Sequence, residues 1–210
     1  MKKLEFTFIT IALLLVSCNE VQLNHVYKYN TNPLYTWGYA EFYGAYYTQY
    51  GNSNNVISLS FFSDSLSVNN IGSLVGTGQY LFLEDVFIAK TDTLLPVGTY
   101  TISNSGSVFT VAPGKNDTID NEVYPIGATI SYYEDNAANS KLKLIKEGTF
   151  TVSRSGNKYI INCNLITDDK NSLKGSFSAQ LSHIDQSIST AKSEERNRFL
   201  QKFLSKNFGN

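Results

Sequence analysis

The sequence has few of the residues from which catalytic and metal sites are most often built. It contains two histidines and two cysteines in 210 residues. A histidine-based metal site or a Ser-His-Asp triad would therefore have to use His25 or His183. His183 and Asp185 are the one close His–Asp pair, and they stand at the exit of the last expected strand. We interpret them as a solvated loop pair rather than as a catalytic dyad.

An excess of positive charge is also missing. The chain has 17 basic and 18 acidic residues, for a formal net charge of −1. Nucleic-acid-binding domains carry a clustered basic excess. We therefore expect no nucleic-acid partner.

The longest apolar run lies at the N terminus and is too short to cross a bilayer. Lys2 and Lys3 precede residues 4–16, LEFTFITIALLLV, in which Glu5 is the one charge. A membrane span needs about 20 apolar residues, whereas a basic start and a shorter run are typical of a secretory signal peptide. The run ends in LVSC at 15–18. This sequence resembles the lipobox of bacterial lipoproteins, in which cleavage precedes a cysteine that is then acylated, here Cys18.

The resemblance implies a signal peptide at 1–17, an acylated Cys18 and a tether at 18–34. Several acyl chains hold a protein stably on a membrane, whereas a single chain binds only marginally. Asn19 and Glu20 stand where an aspartate favours inner-membrane retention in enterobacterial lipoproteins. We therefore expect a lipid-anchored, surface-exposed protein of the outer membrane. The alternative is an ordinary signal peptide followed by an incidental cysteine.

Residues 35–185 have the pattern of short strands separated by turns. β-Branched and aromatic residues dominate, and helical periodicity is missing. The clearest runs are 56–62, 80–89, 99–103, 108–111 and 128–133. We predict one all-β domain of about eight to ten strands, either an antiparallel β-sandwich or a flattened, lipocalin-like barrel. Alternation of side chains does not distinguish the two.

The most distinct unit is a hairpin of residues 148–154 and 158–166, joined at Ser155-Gly156. The apolar residues of its second strand fall on one face: Tyr159, Ile161, Cys163 and Leu165. We therefore interpret Cys163 as a small apolar core residue rather than a reactive thiol. A third strand follows, and Gly175 within it predicts a bulge or a close backbone approach.

The tail, 186–210, has a different pattern. Ser193 is a suitable N-cap, and an apolar stripe recurs with helical spacing at Phe199, Leu200, Phe203 and Leu204. We predict one amphipathic helix that packs on the β domain. The alternative is a helix that binds a membrane surface or a partner.

The order of strand motifs resembles a group of Bacteroidetes surface lipoproteins. The motifs are LPVGTYTIS at 95–103, FTVAPG at 109–114, GATISYY at 127–133, KEGTFTVSRSGNKYIINCNL at 146–165 and LKGSFSAQL at 173–181. That group has LPxGTYT and GTxTVxxxGxxYxI patterns, and Ala179 stands where it commonly has glycine. The resemblance implies an antiparallel β domain, an outer-membrane location and no catalytic residues to assign.

The stretch YTWGYAEFYGAYYTQY at 35–50 is the richest in aromatic residues. An extended strand would place Tyr35, Trp37, Tyr39, Tyr43 and Tyr47 on one face. These rings could fill a core, could form a stacking platform for a glycan, or could bind another protein. Trp37, Tyr39, Tyr43 and Tyr47 are our candidate ligand-binding residues.

Other motifs carry little chemistry. Asp117, Asp120 and Glu122 are weak candidates for a calcium site, because loop carboxylates can bind calcium but this spacing lacks the EF-hand pattern. The pair Ser189 and Lys192 matches the letters of a serine–lysine hydrolase motif without its accompanying motifs. We expect no cofactor and no catalytic residues.

The sequence therefore predicts a non-catalytic envelope protein that binds a ligand, for example a glycan, or a partner protein. One alternative is a structural subunit of a surface assembly. A second is a hydrolase of envelope or dietary polymers, which would need two carboxylates facing each other across a cleft.

Acylation of Cys18 can be tested directly. Cys18→Ala should abolish incorporation of a radioactive fatty acid and leave uncleaved precursor or secreted protein, because the acyl acceptor is missing. Cys163→Ala is the matched control and should label normally. Unchanged labelling of the Cys18 variant would contradict the prediction.

Overall fold

The structure is a computed structural model that describes residues 29–70, 73–119, 121–134 and 141–187. Cys18, His25, Asp120, Ser189 and the predicted C-terminal helix lie outside the described residues. In the described residues, fifteen strands and one short 3₁₀ helix follow each other along the chain. They are β1 (Leu34–Gly44), the 3₁₀ helix (Thr48–Tyr50), β2 (Asn55–Ser63), β3 (Leu66–Val68), β4 (Leu74–Gly76), β5 (Gly78–Ile88), β6 (Gly98–Ile102), β7 (Thr110–Val111), β8 (Lys115–Ile119), β9 (Glu122–Ile126), β10 (Ala128–Tyr133), β11 (Lys141–Ser155), β12 (Lys158–Thr167), β13 (Ser172–Leu173), β14 (Ser176–Ala179) and β15 (Ser182–Asp185).

The described residues form an all-β domain, as predicted. In the part of the chain that the structure describes, no helix has the length and apolar character needed to cross a membrane.

Strand pairing closes the main sheet into a barrel. The circuit runs β1–β2–β5–β10–β11–β12–β14 and returns to β1. β10 pairs only with residues 78–83 of β5 and with residues 141–144 of β11. Beyond these residues, the short strands β7 and β6 lie between β5 and β11, with β7 paired to β5, β6 paired to β11, and β6 and β7 paired to each other. Closure satisfies the backbone groups that an open sheet would leave unpaired at its edges.

Two details differ from the sequence expectation. The described strands are more numerous than the eight to ten expected, because several are pieces of two to four residues. The sheet is mixed rather than purely antiparallel, since β1 runs parallel to both β14 and β15, and β6 runs parallel to β7. The chain returns to β1 only after the long excursion through β2–β12, and such a return permits parallel pairing.

The interior of the barrel is filled by aromatic and aliphatic side chains. Tyr100 stacks on Phe150 at 4.7 Å between ring centroids, and Phe61 lies 4.9 Å from Phe177. Gly38 makes room for the second pair, because a Cβ there would lie 3.0 Å from the Phe61 ring and 2.4 Å from the Ser60 carbonyl oxygen. The glycine between Trp37 and Tyr39 is thus needed for packing.

The predicted hairpin at 148–166 is present as β11 and β12. Ser155 pairs with Lys158, so the two-residue loop is Gly156-Asn157, one residue later than expected, with Gly156 at φ +60°. The four apolar residues predicted to share one face of β12 are all buried. Gly175 follows β13, and a Cβ there would lie 2.6 Å from the Tyr35 ring, which confirms the close approach predicted at this glycine.

Cys163 lies in this buried layer opposite Phe150, and burial raises the pKa of its thiol to about 12. The thiolate is the reactive form of cysteine. The folded chain should therefore resist a water-soluble thiol reagent at pH 8 and react once unfolded in denaturant. Cys163→Ser should lower the free energy of unfolding by about 1–3 kcal/mol if its hydroxyl finds no partner. Rapid labelling of the native protein would contradict the buried placement.

Candidate functional site

The outward side of β1, β2 and β5 carries a stack of three aromatic rings. Register places Trp37 opposite Phe62 and Phe62 opposite Tyr80. Trp37 and Phe62 are parallel at 3.9 Å between centroids, and Phe62 and Tyr80 follow at 4.6 Å. The three rings form one continuous layer across three strands.

The β3–β4 hairpin packs over this stack. Trp37 donates its indole N–H to the Leu66 carbonyl at 2.8 Å, and Tyr133 donates its hydroxyl to the Leu74 carbonyl at 2.8 Å. Leu66 and Leu74 are both buried against the rings. Trp37 is therefore a packing residue of a second, smaller core outside the barrel.

The next row along the same surface mixes rings with a buried hydroxyl. Tyr39 stands opposite Ser60, and Ser60 lies 3.2 Å from the Tyr80 hydroxyl. Burial is the largest cause that raises the pKa of both Tyr39 and Tyr80, and the Glu41 charge raises them further. Both phenols therefore stay protonated at neutral pH, and the Tyr80 hydroxyl shares a hydrogen bond with the Ser60 hydroxyl.

The third row is acidic. Glu41 stands opposite Ser58, whose hydroxyl lies 3.3 Å from the Glu41 carboxylate. On the other side of Ser58, β5 has a bulge at which Asp85 takes φ +51°. The bulge sets Glu84 and Asp85 against Ser58, and Glu84 accepts a hydrogen bond of 2.6 Å from the Gly127 N–H. Three carboxylates thus flank one serine.

A loop of tyrosines continues this surface at the end of the barrel. We call residues 45–54, between β1 and β2, the tyrosine loop. Tyr47 donates its hydroxyl to Asp85 at 2.6 Å and packs against Phe87 and Tyr46 with centroids at 5.9 and 4.9 Å. Tyr50 lies 6.3 Å from Tyr47 and is 76% exposed.

Asparagine side chains hold this loop to its neighbours. Asn52 and Asn54 both donate to the Gly106 carbonyl, at 2.8 and 2.9 Å. Asn55 donates to the carbonyls of Lys90 and Asp92. These hydrogen bonds therefore tie three loops together at one end of the barrel.

The four sequence-predicted residues do not share one strand face, so the expected arrangement was wrong, while ligand binding by them stays a prediction. Register shifts in β1 lie between Tyr35 and Trp37 and again between Phe42 and Gly44. The first turns Tyr35 into the core, where it is 1% exposed, while Trp37 and Tyr39 point outward. Tyr43 is buried at the second shift, and Tyr47 is half-buried in the loop after the strand. Each bulge inserts an extra residue into the strand, so residues on either side of it no longer follow the same two-residue alternation of faces.

Sequence reasoning missed Tyr46, Tyr50 and Asp85. Gly44 at φ +63° and Gly51 at φ +82° bracket the turn that carries both tyrosines. The two glycines were visible in the sequence, and reading them as turn signals would have ended the strand at Gly44. The Asp85 contact depends on a bulge in a distant strand.

Two of the weak metal candidates, Asp117 and Glu122, lie in the β8–β9 hairpin. Asp117 pairs with Tyr124 across the hairpin and accepts a hydrogen bond from the Thr118 N–H, and Glu122 accepts one from the Tyr124 hydroxyl. Within the described ranges, no cluster of three or more His, Cys, Asp or Glu side chains is arranged to bind a metal.

His183 and Asp185 lie in β15, exposed and paired with Ala40 and Phe42 of β1. The His183 ring is 6.2 Å from the ring of Phe42, and Asp185 accepts the Ser187 N–H at 2.8 Å.

No protein-family model matches this chain, and comparison with curated proteins and with solved structures found no match. The candidate site therefore rests on geometry. It is the tyrosine loop with Asp85, where partly exposed rings adjoin a hydrogen-bonded carboxylate.

Thermal unfolding separates the packed rings from the exposed ones. Trp37→Ala removes the end of the ring stack and a hydrogen bond, and we expect a loss of about 3 kcal/mol, the lower end for aromatic truncation in a core. For a domain of this size the midpoint should fall by roughly 6–12 °C. Tyr50→Ala is the control and should change stability by less than about 0.5 kcal/mol. Equal losses in the two variants would contradict the assignment.

Proposed function

We propose that this chain is a lipid-anchored protein of the bacterial outer membrane that binds a ligand at the tyrosine loop without converting it. The anchor rests on the basic start, the apolar run and LVSC ending in Cys18. The resemblance of its strand motifs to Bacteroidetes surface lipoproteins agrees with that location. The observation that carries the binding function is the group of Tyr46, Tyr47 and Tyr50 beside Asp85.

A carbohydrate suits this group best. The C–H face of a sugar ring is apolar and packs on a tyrosine ring, while its hydroxyls need donors and acceptors around the rim. Tyr50 and Tyr46 supply ring surface, and Asp85 and the amides of Asn52 and Asn54 supply polar groups. Ligand sites generally combine such apolar surface with a few placed polar groups.

Binding without conversion is supported by the placement of the carboxylates. A glycosidase needs two carboxyl groups on either side of one sugar bond. Asp85 is engaged by Tyr47, and its neighbour Glu84 is buried at 5% exposure with the Gly127 N–H as one partner. Glu84 is therefore poorly placed to reach a substrate bound at the loop.

A glycan array probed with the full chain in detergent micelles tests the proposal. We expect selective binding of at least one glycan, and Tyr50→Ala and Tyr46→Ala should each weaken it by about tenfold or more through loss of stacking, which corresponds to about 1.4 kcal/mol. Tyr124→Ala in the β8–β9 hairpin is the matched control and should bind normally. Absence of binding to any glycan, or equal binding by all three variants, would overturn the proposal. Release of shortened glycan would favour the hydrolase instead.

A second candidate is a structural subunit of a surface assembly. β15 is exposed along its four residues, and in the described part of the chain it pairs with β1 alone. An exposed strand edge is a template for strand addition by another chain. Self-association in sedimentation experiments that is abolished by Ile184→Pro would favour this candidate.

A further inference from the structure

One part of the outer surface is covered although it faces away from the barrel core. Ser58 is 1% exposed and Glu84 is 5% exposed, yet both point to the side opposite Leu59 and Leu83 of the core. Such low exposure on the outward side of a sheet indicates cover by neighbouring side chains, by another layer of chain, or by both. We call this area the acidic face; its outward side chains are those of Tyr39, Glu41, Ser58, Phe82, Glu84 and Asp85.

The β3–β4 hairpin covers the neighbouring area. The hairpin accepts hydrogen bonds from Trp37 and Tyr133. It also packs the buried side chains of Leu66 and Leu74 at the end of the ring stack. The acidic row is two rows further along the strands, about 13 Å away at the usual rise per residue. At the acidic row, Gly127 donates to Glu84 and Tyr47 donates to Asp85, and we ask which segment covers the rest of the row.

The described chain ends at the edge of this face. β15 runs parallel to β1 until Asp185 pairs with Phe42, and the Gln186 N–H donates to the Phe42 carbonyl at 2.8 Å. Ser187 then lies beside Gly44, with its Cβ 3.5 Å from the position that a Gly44 Cβ would occupy. Glu41 is three residues back along the same strand, so the 23 residues 188–210 start next to the acidic row.

Charge favours contact between this segment and the face. The four strands under the face, β1, β2, β5 and β10, contain three acidic residues and no basic ones: Glu41, Glu84 and Asp85. Residues 188–210 contain five basic residues against two acidic ones, Lys192, Arg196, Arg198, Lys202 and Lys206 against Glu194 and Glu195. Pairs formed at a partly buried face are screened less by salt than exposed pairs.

The size of the segment also fits. Residues 193–209 as a helix would be about 25 Å long, and residues 188–192 could span about 17 Å when extended. Four adjacent strands are about 14 Å across from first to last. The apolar stripe of Phe199 and Phe203 would meet Tyr39 and Phe82, while the basic residues beside the stripe would meet the acidic row.

We propose that residues 188–210 fold back onto the acidic face of β1, β2, β5 and β10 as an intramolecular cover. The segment is then part of the folded domain rather than a free arm. The proposed cover shares Asp85 with the proposed ligand site, and the tests below measure the cover without using ligand binding.

Zero-length carbodiimide cross-linking of the full chain tests the contact. It joins a lysine amine to a carboxylate in direct contact, and we expect linked peptides between Lys192, Lys202 or Lys206 and Glu41 or Asp85. Glu122 and Glu147, exposed in other hairpins, are the control carboxylates and should not link to these lysines. A mixture of ¹⁴N and ¹⁵N protein identifies links within one molecule. Links only between molecules, only to the control carboxylates, or to none, overturn the proposal.

A pair of variants tests the apolar contact without deleting the segment. Phe199→Ser with Phe203→Ser should lower the thermal midpoint by roughly 5–10 °C and increase binding of a hydrophobic dye, because two buried rings are lost. Gln201→Ser, on the polar side of the predicted helix, is the control and should leave both unchanged. An unchanged midpoint in the double variant would mean that the stripe serves a membrane or another protein, and the proposal fails.

Discussion

The architecture depends on the closure of the main sheet, for which β11 is the critical strand. It pairs with β10 through residues 141–144 and with β12 over the rest of its length. Further along, β6 pairs with the edge of β11 that lies across from β12. Without these pairings β10 and β12 would be open edges. Closure surrounds one continuous core, so every strand of the circuit must present alternate side chains to the interior.

Closure also determines where polar chemistry can occur. The interior is filled by stacked and tilted rings, and the carboxylates Glu41, Glu84 and Asp85 lie on the outer side of the sheet. Bulges locally change the alternation of faces. The shift at Asp85 brings two carboxylates to one side of β5, and the shifts in β1 separate Tyr35 from Trp37. The outer surface therefore has three parts, a ring stack under a hairpin, an acidic row and a tyrosine loop.

The ring stack and the tyrosine loop show that one aromatic-rich stretch serves two purposes. Trp37 and Tyr39 stabilise the attachment of the β3–β4 hairpin, whereas Tyr46, Tyr47 and Tyr50 stand at the end of the barrel. The boundary between the two is Gly44, where the strand ends. We assign the proposed ligand-binding role to the second group, because those rings remain partly accessible and adjoin polar groups.

Local patterns predicted the local units well. The strand class, the β11–β12 hairpin and the buried face of β12 follow from alternation and from a glycine in the turn, and these signals come from residues close together in the chain. The loop position was one residue off, because Ser155 still pairs with Lys158. The close approach at Gly175 was also predictable, although its partner, Tyr35, was not.

The sequence alone determined that the described domain is all-β and that Cys163 faces the core, while the resemblance of its N terminus to a lipoprotein signal stays a prediction. Tertiary structure decided whether the sheet closes, which strands run parallel and which tyrosines are accessible. Those features depend on pairings between distant segments, such as β5 with β10 and β1 with β14. Alternation specifies which residues share a face, but it does not specify which strand lies alongside, and a single bulge reverses the faces beyond it.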